Sequence, residues 1–290
     1  MTEPLVLLVG ATGQVGSRVA AKLVDRGTRV RVLARDVDAA TALLGPKVEV
    51  VRGDLMDPPS LTSALRDVGI ASLATAPGPR MTEQEINFVD AAASVGLPRL
   101  VKLSAAYPDT APDHIPFSWQ TPVVARIEQS GLPATVLRPT QFTSLLRWDA
   151  PTVRTGRLHS VMGQSRFTII DPEDVADLTV AALTDPAHAG QTWYVGGPDA
   201  VTYDDIADTL TRVLGYRVEH IGVDEATLRA GLRASGLPDW LGDVLVNSAE
   251  VARSDWFVID DTVTRRVLGR PGRDLASWID RNRDDFTPHD

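Results

Sequence analysis

Short continuous apolar runs alternate with stretches of helical spacing through the first half of this chain. Residues 5–9, LVLLV, are apolar at every position, as expected of a strand buried on both faces. Over residues 14–26, Val15, Val19, Leu23 and Val24 recur on one helical face. Residues 29–34, 48–54, 70–75, 99–104 and 134–139 read as further strands. Residues 38–44, 61–68, 82–95 and 123–130 read as the helices between them, with Gly96 and Gly131 as stops. This alternation predicts an α/β fold: a doubly wound parallel sheet with helices on both faces. After Trp148 the pattern loosens. Strands are expected at 167–171 and 192–197, and helices at 174–183, 203–214 and 224–235. We therefore expect a main domain over residues 1–150. Residues 151–290 should form a smaller, partly helical substrate lobe, some of whose elements return to the core.

Composition narrows the function. A chain of 290 residues with 43% hydrophobic positions can bury a sizeable core. The net charge of −9 speaks against nucleic-acid partners and against docking on anionic lipid. No apolar run reaches membrane-spanning length, and MTEPLVLLVG lacks a secretory pattern, so a cytoplasmic location is expected. The absence of Cys removes disulfides, thiolate nucleophiles and Cys-type zinc sites together. No His, Asp or Glu group has metal-site spacing. Lysine occurs only at positions 22, 47 and 102, which matters for proton chemistry.

The clearest motif follows the first strand. Gly10-Ala11-Thr12-Gly13-Gln14-Val15-Gly16 has the spacing G-x-x-G-x-x-G and opens a helix. Gly10 and Gly13 leave room for a pyrophosphate, and Gly16 lets the helix pack closely on the strand. The helix N-terminus then offers free N–H groups to the phosphates, with Thr12, Gln14 and Val15 completing the cradle. Strand two ends Leu33-Ala34-Arg35-Asp36. Where an NAD site carries an acid for the ribose hydroxyls there is Ala34, and then Arg35, which can fork onto a 2′-phosphate. NADPH is the expected cofactor. Asp54 and Leu55, after strand three, are placed for the adenine, or Asp54 caps a helix. Thr75 and Ala76, after strand four, lie where the cofactor would pass the sheet edge.

Several motifs occur in order: GATGQVGSRV, VLARD, VVRGDLMDP, GLPATVLRPTQF, IIDPEDVADLTVAAL and YVGGPDAVTYDDIADTL. Together they resemble the NmrA-like group of atypical short-chain dehydrogenase/reductases over almost the whole chain. The resemblance implies a Rossmann domain, a nicotinamide cofactor and a substrate cleft under the C-terminal lobe. It also implies that the segment after strand six, with Pro139 and Thr140, lies by the nicotinamide. The group contains quinone and dye reductases, aromatic ether reductases and non-catalytic NADP(H)-sensing regulators. Among its reductases the chain is similar to ketoreductases of polycyclic aromatic polyketides such as angucyclinones, which implies antibiotic biosynthesis.

Many members of the wider superfamily protonate the nascent alkoxide with a Tyr whose pKa is lowered by a Lys four residues later. This chain cannot do so. Tyr107, Tyr194, Tyr203 and Tyr216 have no Lys four residues on. Pro116 and Gln120 stand at the positions that match the superfamily's Tyr and Lys. Ser104, at the end of strand five, matches its Ser. Tyr107 and His114 are the other proton-handling candidates; a loop His is equally a solvated side chain. Lys102 either snorkels or is buried against an acid. Trp119 and His159 line a pocket or simply pack. Asp171 and Asp174 read as helix caps. Two readings remain. One is an NADPH-dependent reductase of a small polycyclic aromatic ketone or quinone, with the substrate's own chemistry replacing the missing pair. The other is a regulator that binds NADP(H) without turnover. Beyond these two, an isomerase or cyclase using the same cleft without net redox is a third reading. The partner expected is a small aromatic molecule.

Overall fold

The computed structural model describes residues 4–108, 114 and 117–288. In chain order the elements begin β1 (Leu5–Val9), α1 (Gln14–Asp25), β2 (Val30–Ala34), α2 (Val37–Leu44), β3 (Glu49–Arg52), α3 (Pro58–Ala64) and β4 (Val68–Leu73). Then come α4 (Met81–Ser94), β5 (Leu100–Leu103), α5 (Phe117–Ser130), β6 (Ala134–Pro139), β7 (Gln141–Phe142), α6 (Ala150–Val153), β8 (Arg157–Ser160) and β9 (Phe167–Ile170). Next are α7 (Pro172–Thr184), β10 (Thr192–Val195), β11 (Ala200–Val201), α8 (Tyr203–Leu214), β12 (Glu219–Gly222) and α9 (Glu225–Ala234). The last are α10 (Asp239–Ala252), α11 (Thr262–Leu268), α12 (Leu275–Arg281) and α13 (Arg283–Phe286).

A seven-stranded sheet has the order β10-β6-β5-β4-β1-β2-β3. The pairs among β1 to β6 are all parallel. This is the Rossmann-type doubly wound α/β arrangement, with β1 central and the order reversing beside it. All five residues of β1 are buried. Leu5, Leu7 and Val9 join Leu61, Leu73, Phe88, Val89, Val123 and Ile127 in one core cluster. Val15, Val19 and Leu23 are the buried stripe of α1, as their spacing requires.

The chain forms two compact units. Unit 1 comprises Met1–Ala105, Pro116–Arg138 and Val175–Trp193. Unit 2 comprises Ala106–Ile115, Pro139–Asp174 and Tyr194–Asp290. Unit 2 contains a three-stranded sheet, β11-β9-β7, and a parallel pair, β8 with β12. Within it His220 on β12 bonds Asp204 Oδ1 at 2.7 Å and Ser160 Oγ at 2.8 Å, joining the strand pair to α8. Asp171 and Asp174, read as caps, do more. The Asp171 carboxylate accepts from the Glu173 N–H at 2.8 Å and pairs with Arg281. Asp174 is 1% exposed; it pairs with Arg270 and Arg273 and accepts the Arg273 N–H, anchoring that segment. Among the described residues no helix is long and apolar enough to cross a membrane.

Two boundaries depart from the sequence expectation for physical reasons. α3 begins at the Pro58-Pro59 pair and ends at Ala64; Asp67 takes φ +63°, the chain turns there, and Val68 enters β4. Proline fits a first helical turn, where its missing N–H has no partner to lose. α5 begins at Phe117 rather than at 123, with Pro122 inside it. Buried Phe117 and Gln120 hold that first stretch, and Thr82 Oγ1 donates to the Trp119 carbonyl at 2.9 Å. Tertiary packing thus overrides the proline break.

Candidate active site

The loop after β1 is shaped by two close approaches. Gly10 has φ +83°, and a Cβ there would lie 1.8 Å from the Ala74 carbonyl oxygen. A Cβ on Gly16 would lie 2.2 Å from the Gly10 oxygen. Any side chain at either position would push β1, β4 and α1 apart. The Gly13 N–H donates to the Gly10 oxygen at 3.0 Å, closing the turn. Gly13 is the N-cap of α1 and leaves it without a side-chain cap or a first-turn acid. Thr12 and Gly13 are exposed, Val15 is buried, and Gln14 Nε2 is buried without a hydrogen-bond partner among the described residues. An uncapped helix N-terminus, a side-chain-free cradle and an orphaned amide donor together fit an anionic pyrophosphate.

At the end of β2, Ala34 is followed by the exposed Arg35. Among the described residues Arg35 has no ion-pair partner. Asp36, its sequence neighbour, is committed as the N-cap of α2, accepting from the Ala39 N–H at 3.0 Å. Asp54 accepts from the Met56 N–H at 2.9 Å, a local turn bond, and the Leu55 carbonyl accepts from Asn87 Nδ2 at 2.9 Å. Both are partly buried at the end of β3, as is Thr75 beyond β4, while Ala76 is exposed.

Two polar pairs lie beneath the ends of β4 and β5. Lys102 and Glu85 are both fully buried, with Nζ 2.8 Å from Oε1. Of the two fates weighed for Lys102, burial against an acid is the one realised. Burial pulls the Lys102 amine below its ordinary pKa, and the Glu85 charge opposes that pull. Thr75 Oγ1 donates to the same Glu85 oxygen at 2.8 Å, so the pair also fixes Thr75. Beside them Ser104, 7% exposed, donates to Gln120 Oε1 at 3.0 Å. Gln120 Nε2 faces the Met81 sulfur at 3.5 Å, which sets the amide so that its oxygen points at Ser104. Gln120, which the sequence resemblance sets at the superfamily's Lys position, thus accepts a hydrogen bond from Ser104 and carries no charge.

Tyr107, His114, Pro139 and Thr140 belong to unit 2. Tyr107 is 3% exposed. His114 faces Glu250 at 3.6 Å. The Pro139 carbonyl accepts from the Ala106 N–H at 2.8 Å, and the Thr140 N–H donates to the Val195 carbonyl at 2.9 Å. Thr140 Oγ1 is buried without a hydrogen-bond partner among the described residues. Pro116 lies outside the described residues.

Sequence reasoning passed over Glu85 and Met81. A signal for the first existed. Met81, Glu85, Phe88, Val89 and Ala92 share one buried helical face, and an acid on such a face needs a buried partner.

Fold and loop define a Rossmann-type dinucleotide-binding unit. The chain belongs to the NmrA-like family, which it matches over residues 2–266. It is 36% identical over 290 residues to the (4-alkanoyl-5-oxo-2,5-dihydrofuran-3-yl)methyl phosphate reductase of Streptomyces griseus subsp. griseus. That match covers 98% of this chain and 100% of the relative. It is 28% identical to the NAD(P)H azoreductase of Xenophilus azovorans, over 94% of this chain and 96% of that one. Among solved structures, the NADPH complex of an Escherichia coli NADPH-dependent quinone oxidoreductase superposes with a TM-score of 0.87 at 26% identity. The superposition covers 96% of this chain and 99% of the other.

Proposed function

We propose that this protein is an NADPH-dependent reductase of a conjugated carbonyl compound, a quinone or a small polycyclic aromatic ketone of the aromatic polyketide kind. The observation that carries the reading is the state of the residues around Ser104. The matching Lys position is Gln120, bonded to Ser104, and Lys102 is locked to Glu85. No charged lysine is available there to activate a phenol.

The glycine cradle, the α1 N-terminus and Arg35 would hold NADPH, which supplies the hydride. Ser104 then helps to orient the acceptor: its hydroxyl hydrogen is directed at Gln120, so it offers the substrate only lone pairs and donates nothing to the acceptor oxygen. Negative charge developing on the acceptor is delocalised by conjugation and met by the substrate's own hydroxyl. The protein's share is orientation and exclusion of competing geometries. The acceptors named for the relatives, an acyl dihydrofuranone, an azo compound and a quinone, are all conjugated, which supports this division of labour.

A second reading is favoured by the 36%-identical relative: hydride delivery to the alkene carbon of an acyl dihydrofuranone. Incubation with NADPH and a panel of hydroxynaphthoquinones, hydroxyaryl ketones and acyl dihydrofuranones, with product identification, decides between them. We expect acceptor-dependent NADPH oxidation and a reduced aromatic carbonyl. Turnover confined to the furanone gives the second reading. Tight NADPH binding with no turnover gives the regulator.

A further inference from the structure

We propose that Arg52 is a second ligand of the cofactor's 2′-phosphate beside Arg35, and hence a determinant of NADPH over NADH; this rests on the reductase reading above. The ends of β2 and β3 carry the argument. Ala34 and Arg52 are register partners, and the Gly53 N–H donates to the Ala34 carbonyl at 3.0 Å. The last residue of β3 is therefore level with the last residue of β2. The Arg52 side chain leans back over that edge, and its Nη1 donates to the Arg35 carbonyl at 3.3 Å. Its other N–H donors are not used by that bond.

Both guanidinium groups are exposed, and among the described residues neither pairs with a carboxylate, in a chain of net charge −9. Arg31, on the same strand as Ala34, shows the ordinary outcome: it pairs with Glu49 at 2.9 Å. The acids adjacent to them in sequence already accept backbone bonds, Asp36 as the α2 cap and Asp54 in its own turn. Two cations on adjacent strand ends repel each other unless an anion joins them. A phosphomonoester dianion, with three oxygens to share between two planar forks, matches this arrangement better than a singly charged carboxylate does.

The test is calorimetric binding of 2′,5′-ADP and 5′-AMP to wild type, Arg52→Ala, Arg35→Ala and the double variant. Neither ligand carries the nicotinamide, so the readout is independent of turnover. We expect Arg52→Ala to weaken 2′,5′-ADP roughly tenfold while leaving 5′-AMP within about twofold, and to weaken 2′,5′-ADP again in the Arg35→Ala background. Retained 5′-AMP binding is also the check that the variants fold. Wild-type affinity of Arg52→Ala for 2′,5′-ADP overturns the proposal. So does a double variant no weaker than Arg35→Ala, because Arg52 would then act only by holding Arg35. A wild type that binds both ligands equally overturns the underlying assignment of NADPH as well.

Discussion

Removing Lys102 should cost this protein more than removing any surface charge, and the structure says how much. Lys102 and Glu85 are each 0% exposed and 2.8 Å apart. In Lys102→Met the Glu85 carboxylate keeps the Thr75 hydroxyl as a donor, while Oε2 already has none among the described residues. A buried charge stripped of its partner typically costs about 3–5 kcal/mol. Glu85→Leu is expected to cost less than Lys102→Met. The stranded amine, already held below its ordinary pKa by burial, can shed its proton. The double variant Lys102→Met/Glu85→Leu removes both charges and fills the space with apolar atoms, so it should lie within about 1–2 kcal/mol of wild type. Urea titrations of the four proteins at neutral pH give the double-mutant cycle. Single variants that each lose less than about 1 kcal/mol, or losses that simply add, would refute the reading that this pair is a coupled buried unit.

Three further outcomes follow from the same geometry. Arg35→Asp should raise the KM for NADPH by roughly 10- to 150-fold, the worth of one charge-assisted bond, and leave NADH nearly unchanged; equal effects on the two would remove the 2′-phosphate assignment. Gly10→Ala should abolish binding of NADPH and of NADH alike, because its Cβ meets the Ala74 oxygen at 1.8 Å; calorimetry on the purified variant checks it. Burial pushes the Asp149 carboxyl up to about 7. A raised folded-state pKa means that stability is fully present at low pH and lost as pH rises through 7. Three units above the ordinary value correspond to at most about 4 kcal/mol. Asp149→Asn should therefore match wild type near pH 4 and exceed it at pH 8, measured as urea midpoints; a gap that does not grow with pH would contradict this.

What the sequence made legible tracks how local each signal is. β1, β6 and α8 fall on their expected residues because each is bounded by its own glycine, proline or capping residues. The glycine loop was readable for the same reason: strand, turn and helix lie within a dozen residues. The small sheets were not. β7 and β11 are two residues long and have no period to detect; β8 meets β12 only after α8 has intervened. α10 was also missed, although Leu241, Ala249 and Val251 give it a buried face. The unit exchange is equally non-local, since α7 from Val175 onward and the start of β10 belong to unit 1 while the segments on both sides belong to unit 2. In the site, the absence of a Tyr with a Lys four residues on was evident from the sequence alone. Pairing Ser104 with Gln120, and Lys102 with Glu85 and Thr75, needed the packing of α4 against β4, β5 and α5.

On the function proposed above, the protein positions a hydride donor against a conjugated acceptor and supplies no strong acid of its own. Single-turnover oxidation of bound NADPH by a hydroxynaphthoquinone, in wild type and in Ser104→Ala, tests it most directly. We expect oxidation in both, with the variant slower by less than about tenfold, because a general acid is worth about 10²–10⁴ and Ser104 is not one. A loss of about 10² or more in Ser104→Ala would make its hydroxyl the proton donor and contradict the account.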